Sequence, residues 1–187
     1  MASAASATGD QAATGWPDEI FGVLEEFSVA QVPYVPDGGH ARLIERVQGA
    51  PAMRGIPLTT EEEGIALVAG AWLGGQRAAL LMQSSGVGNC INMLSLIKVC
   101  KFPLLTLVTM RGEWGEFNAW QVPMGSTVEA SFRLMGVECV RVERPEDAAL
   151  TVRNAATMVY GGGSAVAVLL SQRLIGAKVF TKPEDER

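Results

Sequence analysis

Three short runs, AALLMQ (78–83), PLLTLVTM (103–110) and SAVAVLLS (164–171), are apolar at nearly every position. A strand that alternates polar and apolar residues covers only one face of a sheet, whereas one that is apolar throughout is buried on both. Between these runs lie segments with helical spacing: WPDEIFGVLEEFSV, HARLIERV, EEEGIALVAGAWLGG (61–75), GVGNCINMLSLIKVC (86–100), STVEASFRLMG and PEDAALTVRNAATMVYGGG. VPYVP (32–36), GIPLTT (55–60) and VECVRVE supply the remaining extended pieces. Buried strands alternating with helices predict an α/β fold, a parallel sheet of about six strands with helices on both faces. No internal repeat or linker divides it. The predicted domain runs over residues 16–180, between a disordered tail (1–15) and a polar tail (181–187).

Composition narrows the function classes. The net charge of −5, from 15 basic and 20 acidic residues, argues against nucleic acid, and no run of Lys and Arg opposes that reading. No apolar stretch approaches the roughly 18 residues that span a bilayer. The N-terminal residues lack a basic region and a continuous apolar core, so no signal peptide is expected there. Cys90, Cys100 and Cys139 are odd in number and form no CxxC pair, which suits reduced thiols in a cytoplasmic protein. With His40 the one histidine and no cysteine cluster, no metal site of this chain's own is expected.

In a parallel sheet, ligands sit at the carboxyl ends of the strands. PDGGH (36–40), SSGVGN (84–89) and RGEWGEFNAWQVPMG (111–125) qualify by position, with TTEEEG at the start of a helix. SSGVGN has neither the third glycine of a dinucleotide fingerprint nor the lysine of a phosphate loop. It reads as a tight strand-to-helix turn with bare backbone. The three carboxylates of EEEG are either a solvated first turn suited to the helix dipole or include one buried group with a raised pKa, able to share a proton with a nitrogen base. Helical geometry sets them about 100° apart, so only one can face a given ligand.

VPYVPDGG, TTEEEGIALVAGAWLGG, ALLMQSSGVGNCINML, RGEWGEFNAWQVPMG and LLSQRLIGAKVF, in that order, resemble the pyrimidine-binding domain of thiamine diphosphate-dependent enzymes. The likeness covers roughly residues 17 to 180 and lies nearest the sulfopyruvate and phosphonopyruvate decarboxylases. It implies a 2-oxo acid decarboxylase in which a glutamate hydrogen-bonds N1′ of the aminopyrimidine ring and so activates the cofactor. The family spacing, a glutamate two residues before a glycine, places that role on Glu62, with Glu61 and Glu63 flanking it. Ser85, Gly86, Val87, Gly88 and Asn89 would then lie along the pyrimidine, the glycines admitting backbone to the ring.

The resemblance also implies a second polypeptide. Such enzymes hold the diphosphate and Mg²⁺ on a GDG motif, which this chain lacks. A separate subunit is expected to bring them, in a complex of at least two copies of each chain. On the substrate side, Arg111 and Gln121 suit an acidic head group, against the alternative of a surface loop with one solvated arginine. His40 is either a proton donor or substrate ligand, or the exposed start of a helix. Sulfopyruvate is the leading substrate and phosphonopyruvate the next. A carboligase sharing the same glutamate, and a non-catalytic assembly subunit of the same fold, are the other readings.

Overall fold

The structure, a computed structural model, describes residues 15–176. Residues 1–14 of the tail expected over 1–15, the tail expected at 181–187 and the end of the domain at 180 lie outside the described residues. Six strands form one sheet: β1 (Val29–Tyr34), β2 (Arg54–Pro57), β3 (Arg77–Gln83), β4 (Leu104–Thr109), β5 (Glu138–Val142) and β6 (Ala165–Leu170). Their order is β2-β1-β3-β4-β6-β5, and every neighbouring pair is parallel. The predicted α/β architecture is therefore present.

Alternate residues of the central strands feed two cores, as a period of two requires. Ala79, Leu81, Leu105, Leu107, Val166 and Val168 pack under α1 (Trp16–Glu26), α2 (Ala41–Gln48) and α7 (Pro145–Gly162). Ala78, Leu80, Met82, Leu104, Val108 and Leu169 pack under α3 (Glu61–Leu73), α4 (Ser84–Cys90), α5 (Ser95–Cys100) and α6 (Gln121–Leu134). Four-residue α8 (Gln172–Ile175) follows β6, and the Ser171 side chain accepts the Leu174 N–H to cap it. Gly64 lets α3 close on the sheet, because a Cβ there would fall on the Leu80 side chain.

Two local expectations differ from the structure. The helix predicted over 86–100 is two pieces, and the first begins at Ser84, directly after β3. The Asn92 carbonyl accepts both the Ser95 hydroxyl at 2.7 Å and the Ser95 N–H at 3.2 Å. These short-range bonds replace continuous α-helical pairing at the join. The segment predicted as an unbroken loop over 111–125 turns helical at Gln121. Pro123 sits in the first turn of α6, where a missing N–H forfeits no helical bond.

Strand order reverses around β1: the chain steps out to β2, then returns to place β3 on the other side. The crevice beyond the carboxyl ends of β1, β3 and β4 is the switch point where α/β sheets take ligands.

Candidate active site

Glu61, the first residue of α3, is buried, with 8% of its surface exposed. It heads the inward stripe Glu61, Gly64, Ile65, Val68 and Ala71, whose spacing of three and four is that of one helix face. Its carboxyl meets α4. Asn89 donates through Nδ2 to Glu61 Oε2 at 2.8 Å. Oε1 lies against Gly86, where a Cβ would collide with the carboxyl. Gly86 and Asn89 are three apart on α4 and so share a face.

Glu62, the residue that family spacing selects, is turned elsewhere. Its carboxyl accepts a hydrogen bond from the Thr60 hydroxyl, which holds its pKa below the ordinary carboxylate range. Glu63 Oε2 accepts the Thr59 N–H at 2.9 Å. The three glutamates therefore diverge as helical geometry demands, and the one brought to SSGVGN is Glu61. The inward spacing of Glu61 with Ile65 and Val68 is a signal the sequence contains. Counting back from Gly64 overlooks it.

SSGVGN is helical rather than a loop, and its residues part company. Val87 is fully buried in the core beneath α3–α6 and presents no side chain to a ligand. Gly88 lies against the sulfur of Met124, 3.0 Å from where a Cβ would stand. Ser85 donates to Gln83 Oε1 at 3.0 Å. Ser85 and Asn89 line a groove of about 910 Å³ with Ala119, Trp120, Met124 and Thr127. Cys90, buried below, has its thiol pushed up to about 12 by burial and by the charges of Glu61 and Glu62, so it stays protonated.

A second cluster stands at the end of β1. Asp37 accepts Thr109 Oγ1 at 2.5 Å, Gln83 Nε2 at 2.9 Å and the Gly39 N–H at 3.1 Å. Burial opposes its charge, but the Thr109, Gln83 and Gly39 donors outweigh it and hold the carboxyl below the ordinary range. Asp37 was not singled out from the sequence, although it stands in PDGGH at a strand's carboxyl end and lines a cavity there. Gly39 must be glycine here, since a Cβ would lie 2.8 Å from Thr109 Cγ2.

His40 is not an exposed helix start: it is wholly buried. Its Nε2 lies 3.1 Å from the Leu107 carbonyl and donates to it, so the ring is the Nε2–H tautomer. Nδ1 is buried with no partner among the described residues. Burial lowers its pKa despite the Asp37 charge, so the ring is neutral.

Arg111 is not solvated either. Its Nε and Nη2 each bond Glu116 at 2.6 Å, a bidentate pair with side chains 12% and 3% exposed. Glu116 also accepts the N–H groups of Gly112 and Asn118 and the side chain of Gln172. Arg111 shares a small cavity of about 150 Å³ with Asp37, Gly38, Gly39 and Thr109. Gln121 lines neither cavity. Its Oε1 is buried without a partner among the described residues.

Comparison with protein-family models finds no match. Curated relatives do match. The chain is 32% identical over 154 residues to the sulfopyruvate decarboxylase subunit alpha of Methanococcus maripaludis, covering 82% of this chain and 92% of that one. It is also 32% identical over 154 residues to the same subunit of Methanothermobacter thermautotrophicus, covering 82% and 93%. A phosphonopyruvate decarboxylase of Streptomyces viridochromogenes is 40% identical over 94 residues, half of this chain but 24% of that protein. Among solved structures, a 2-oxoglutarate:ferredoxin oxidoreductase from Magnetococcus marinus superposes with a TM-score of 0.67 at 14% identity, over 87% of this chain and 29% of that one, a likeness of fold. Near-complete mutual coverage at this identity means that the chain belongs to the family of sulfopyruvate decarboxylase alpha subunits.

Proposed function

We propose that this chain is the pyrimidine-binding subunit of a thiamine diphosphate-dependent decarboxylase that converts sulfopyruvate to sulfoacetaldehyde and carbon dioxide. The observation that carries the reading is the Glu61 carboxyl, buried at the head of α3 against a glycine wall. The site suits an aminopyrimidine. Asn89 occupies Oε2, and no donor reaches Oε1 from the described residues, so that oxygen remains for a ring nitrogen. Gly86 keeps the approach free of side-chain atoms.

Thiamine diphosphate supplies the electron sink for the carbon–carbon bond that breaks as carbon dioxide leaves. With the cofactor bound, Glu61 Oε1 would hold the proton shared with the ring nitrogen, Ser85 and Asn89 would present polar edges beside it, and Trp120 and Met124 would form the groove wall. Asp37, Thr109 and Arg111 face the smaller cavity, the candidate seat of the acidic substrate. Among the described residues no group of three or more His, Cys, Asp or Glu could hold a metal. We assign Mg²⁺ and the diphosphate to a partner subunit carrying GDG, in an assembly of at least two copies of each chain, a reading supported by the naming of the relatives as alpha subunits. Cytoplasmic placement accords with three unpaired cysteines. Phosphonopyruvate is the second substrate reading, on the strength of the 40% identical segment.

The test is co-expression with the partner and assay against a panel of 2-oxo acids. Glu61→Gln should lower kcat about 10²- to 10⁴-fold, the usual share of a proton-transfer group, while Glu62→Gln and Glu63→Gln stay near wild type. Full turnover by Glu61→Gln would overturn the reading, and turnover of phosphonopyruvate over sulfopyruvate would exchange the two substrates.

A further inference from the structure

We infer that Asn89 acts on the reaction through Glu61, as the positioning residue that fixes the carboxyl and divides the work of its two oxygens. The inference rests on the function proposed above and deepens it.

Asn89 sits on the surface of α4 beside the groove, yet its amide is committed inward to a buried carboxylate. Among the described residues it makes the one hydrogen bond recorded to the Glu61 side chain. A glutamate has three rotatable side-chain bonds, and the α3 backbone fixes none of them. Without a donor at Oε2 the carboxyl could turn about its last bond and offer either oxygen. The Asn89 amide selects one arrangement: Oε2 toward Asn89 and Oε1 toward Gly86. An amide suits this because it donates at every working pH and brings no second charge. The other titratable groups at the junction are Glu62, from the same turn of α3, and Cys90, from α4, whose thiol is protonated. Neither competes for the amide.

Two variants separate positioning from mere packing. Asn89→Leu keeps the branched outline of the side chain and removes the donor. In the assembled enzyme it should lower kcat about 10- to 100-fold, in line with the loss of an outer-shell partner, leave KM for the oxo acid within about twofold, and slow exchange of the cofactor's C2 proton in parallel. Asn89→Asp sets a second carboxyl about 2.8 Å from Oε2, where two carboxylates share a proton. In the isolated chain, labelled with ¹³C at its glutamate carboxyls, the titration of one glutamate should move upward from its wild-type position. The acid limb of the kcat profile should move upward with it. Unchanged kcat and C2 exchange in Asn89→Leu, or an unmoved carboxyl titration in Asn89→Asp, overturns the inference. If Asn89→Leu does not fold, the Asn89→Asp titration decides alone. Glu61→Gln distinguishes the two levels: a dead Glu61→Gln beside a normal Asn89→Leu leaves the function standing and removes only the role of Asn89.

Discussion

A glutamate's neighbours three and four residues on decide whether it faces solvent or core. Glu61, Ile65 and Val68 lie on one stripe and go inward together, leaving Glu62 to Thr60 and Glu63 to Thr59. At the same scale, Gly86 earns its place by what it lacks. Gly86→Ala would put a methyl on the Glu61 carboxyl. Overpacking of this kind costs typically about 1–3 kcal/mol, read as a lower urea midpoint, and turning Glu61 aside should lower turnover toward that of Glu61→Gln. Gly88→Ala meets only the end of the flexible Met124 side chain, so a smaller loss is expected. Equal effects at both positions would show that Gly86 does not shape the carboxyl's site.

The segment between β4 and α6 is organised by one buried carboxylate. Glu116 collects two bonds from Arg111, two backbone N–H groups and the Gln172 amide. The Arg111 pairing and these further donors outweigh burial and pull its pKa from 4.5 to about 2. A carboxyl depressed in the folded state contributes stability above its unfolded value and loses it as pH falls through the folded one. Protection of the Gly112 and Asn118 amides against hydrogen exchange should therefore hold above about pH 4.5 and disappear towards pH 2. Glu116→Gln should abolish that dependence, and protection unchanged at pH 2 would contradict the anchoring role. Arg111→Ala leaves the Glu116 charge buried and unpaired, which is strongly destabilising. A loss of activity in that variant does not by itself report contact with substrate.

Across the whole molecule, large apolar residues are exposed unevenly. Trp72, Leu73, Ile91, Val99, Trp120, Val122 and Leu134 stand on or beside α3–α6, Trp114 and Phe117 lie in the segment between β4 and α6, and Leu150 stands on α7. The groove lined by Ser85, Asn89 and Trp120 opens among the α4 and α6 side chains. Purified alone, the chain should not bind thiamine diphosphate tightly, because the cofactor's charge lies in a diphosphate whose Mg²⁺ needs hard oxygen ligands, which the proposed function places on the partner. Calorimetric titration of thiamine diphosphate and Mg²⁺, with and without the partner, checks this. Micromolar binding together with decarboxylation by the lone chain would contradict the two-subunit reading.

The parallel sheet and the loops that meet at its carboxyl edge were legible in sequence, because burial on both faces writes a continuous apolar run and helices write a period. So was the segment SSGVGN, since glycines beside a buried strand mark close approach. Three things were completed by tertiary contact. Glu61 became the inward carboxylate because α3 docks through Gly64 onto Leu80. His40 became a buried neutral ring because the Leu107 carbonyl, 67 residues away, waits for its Nε2–H. Arg111 became half of an ion pair because Gln172, on the far side of β6, helps to hold Glu116 in place. Local sequence records which groups a chain can bury, but their partners arrive from distant strands, and only folding brings them within hydrogen-bond range.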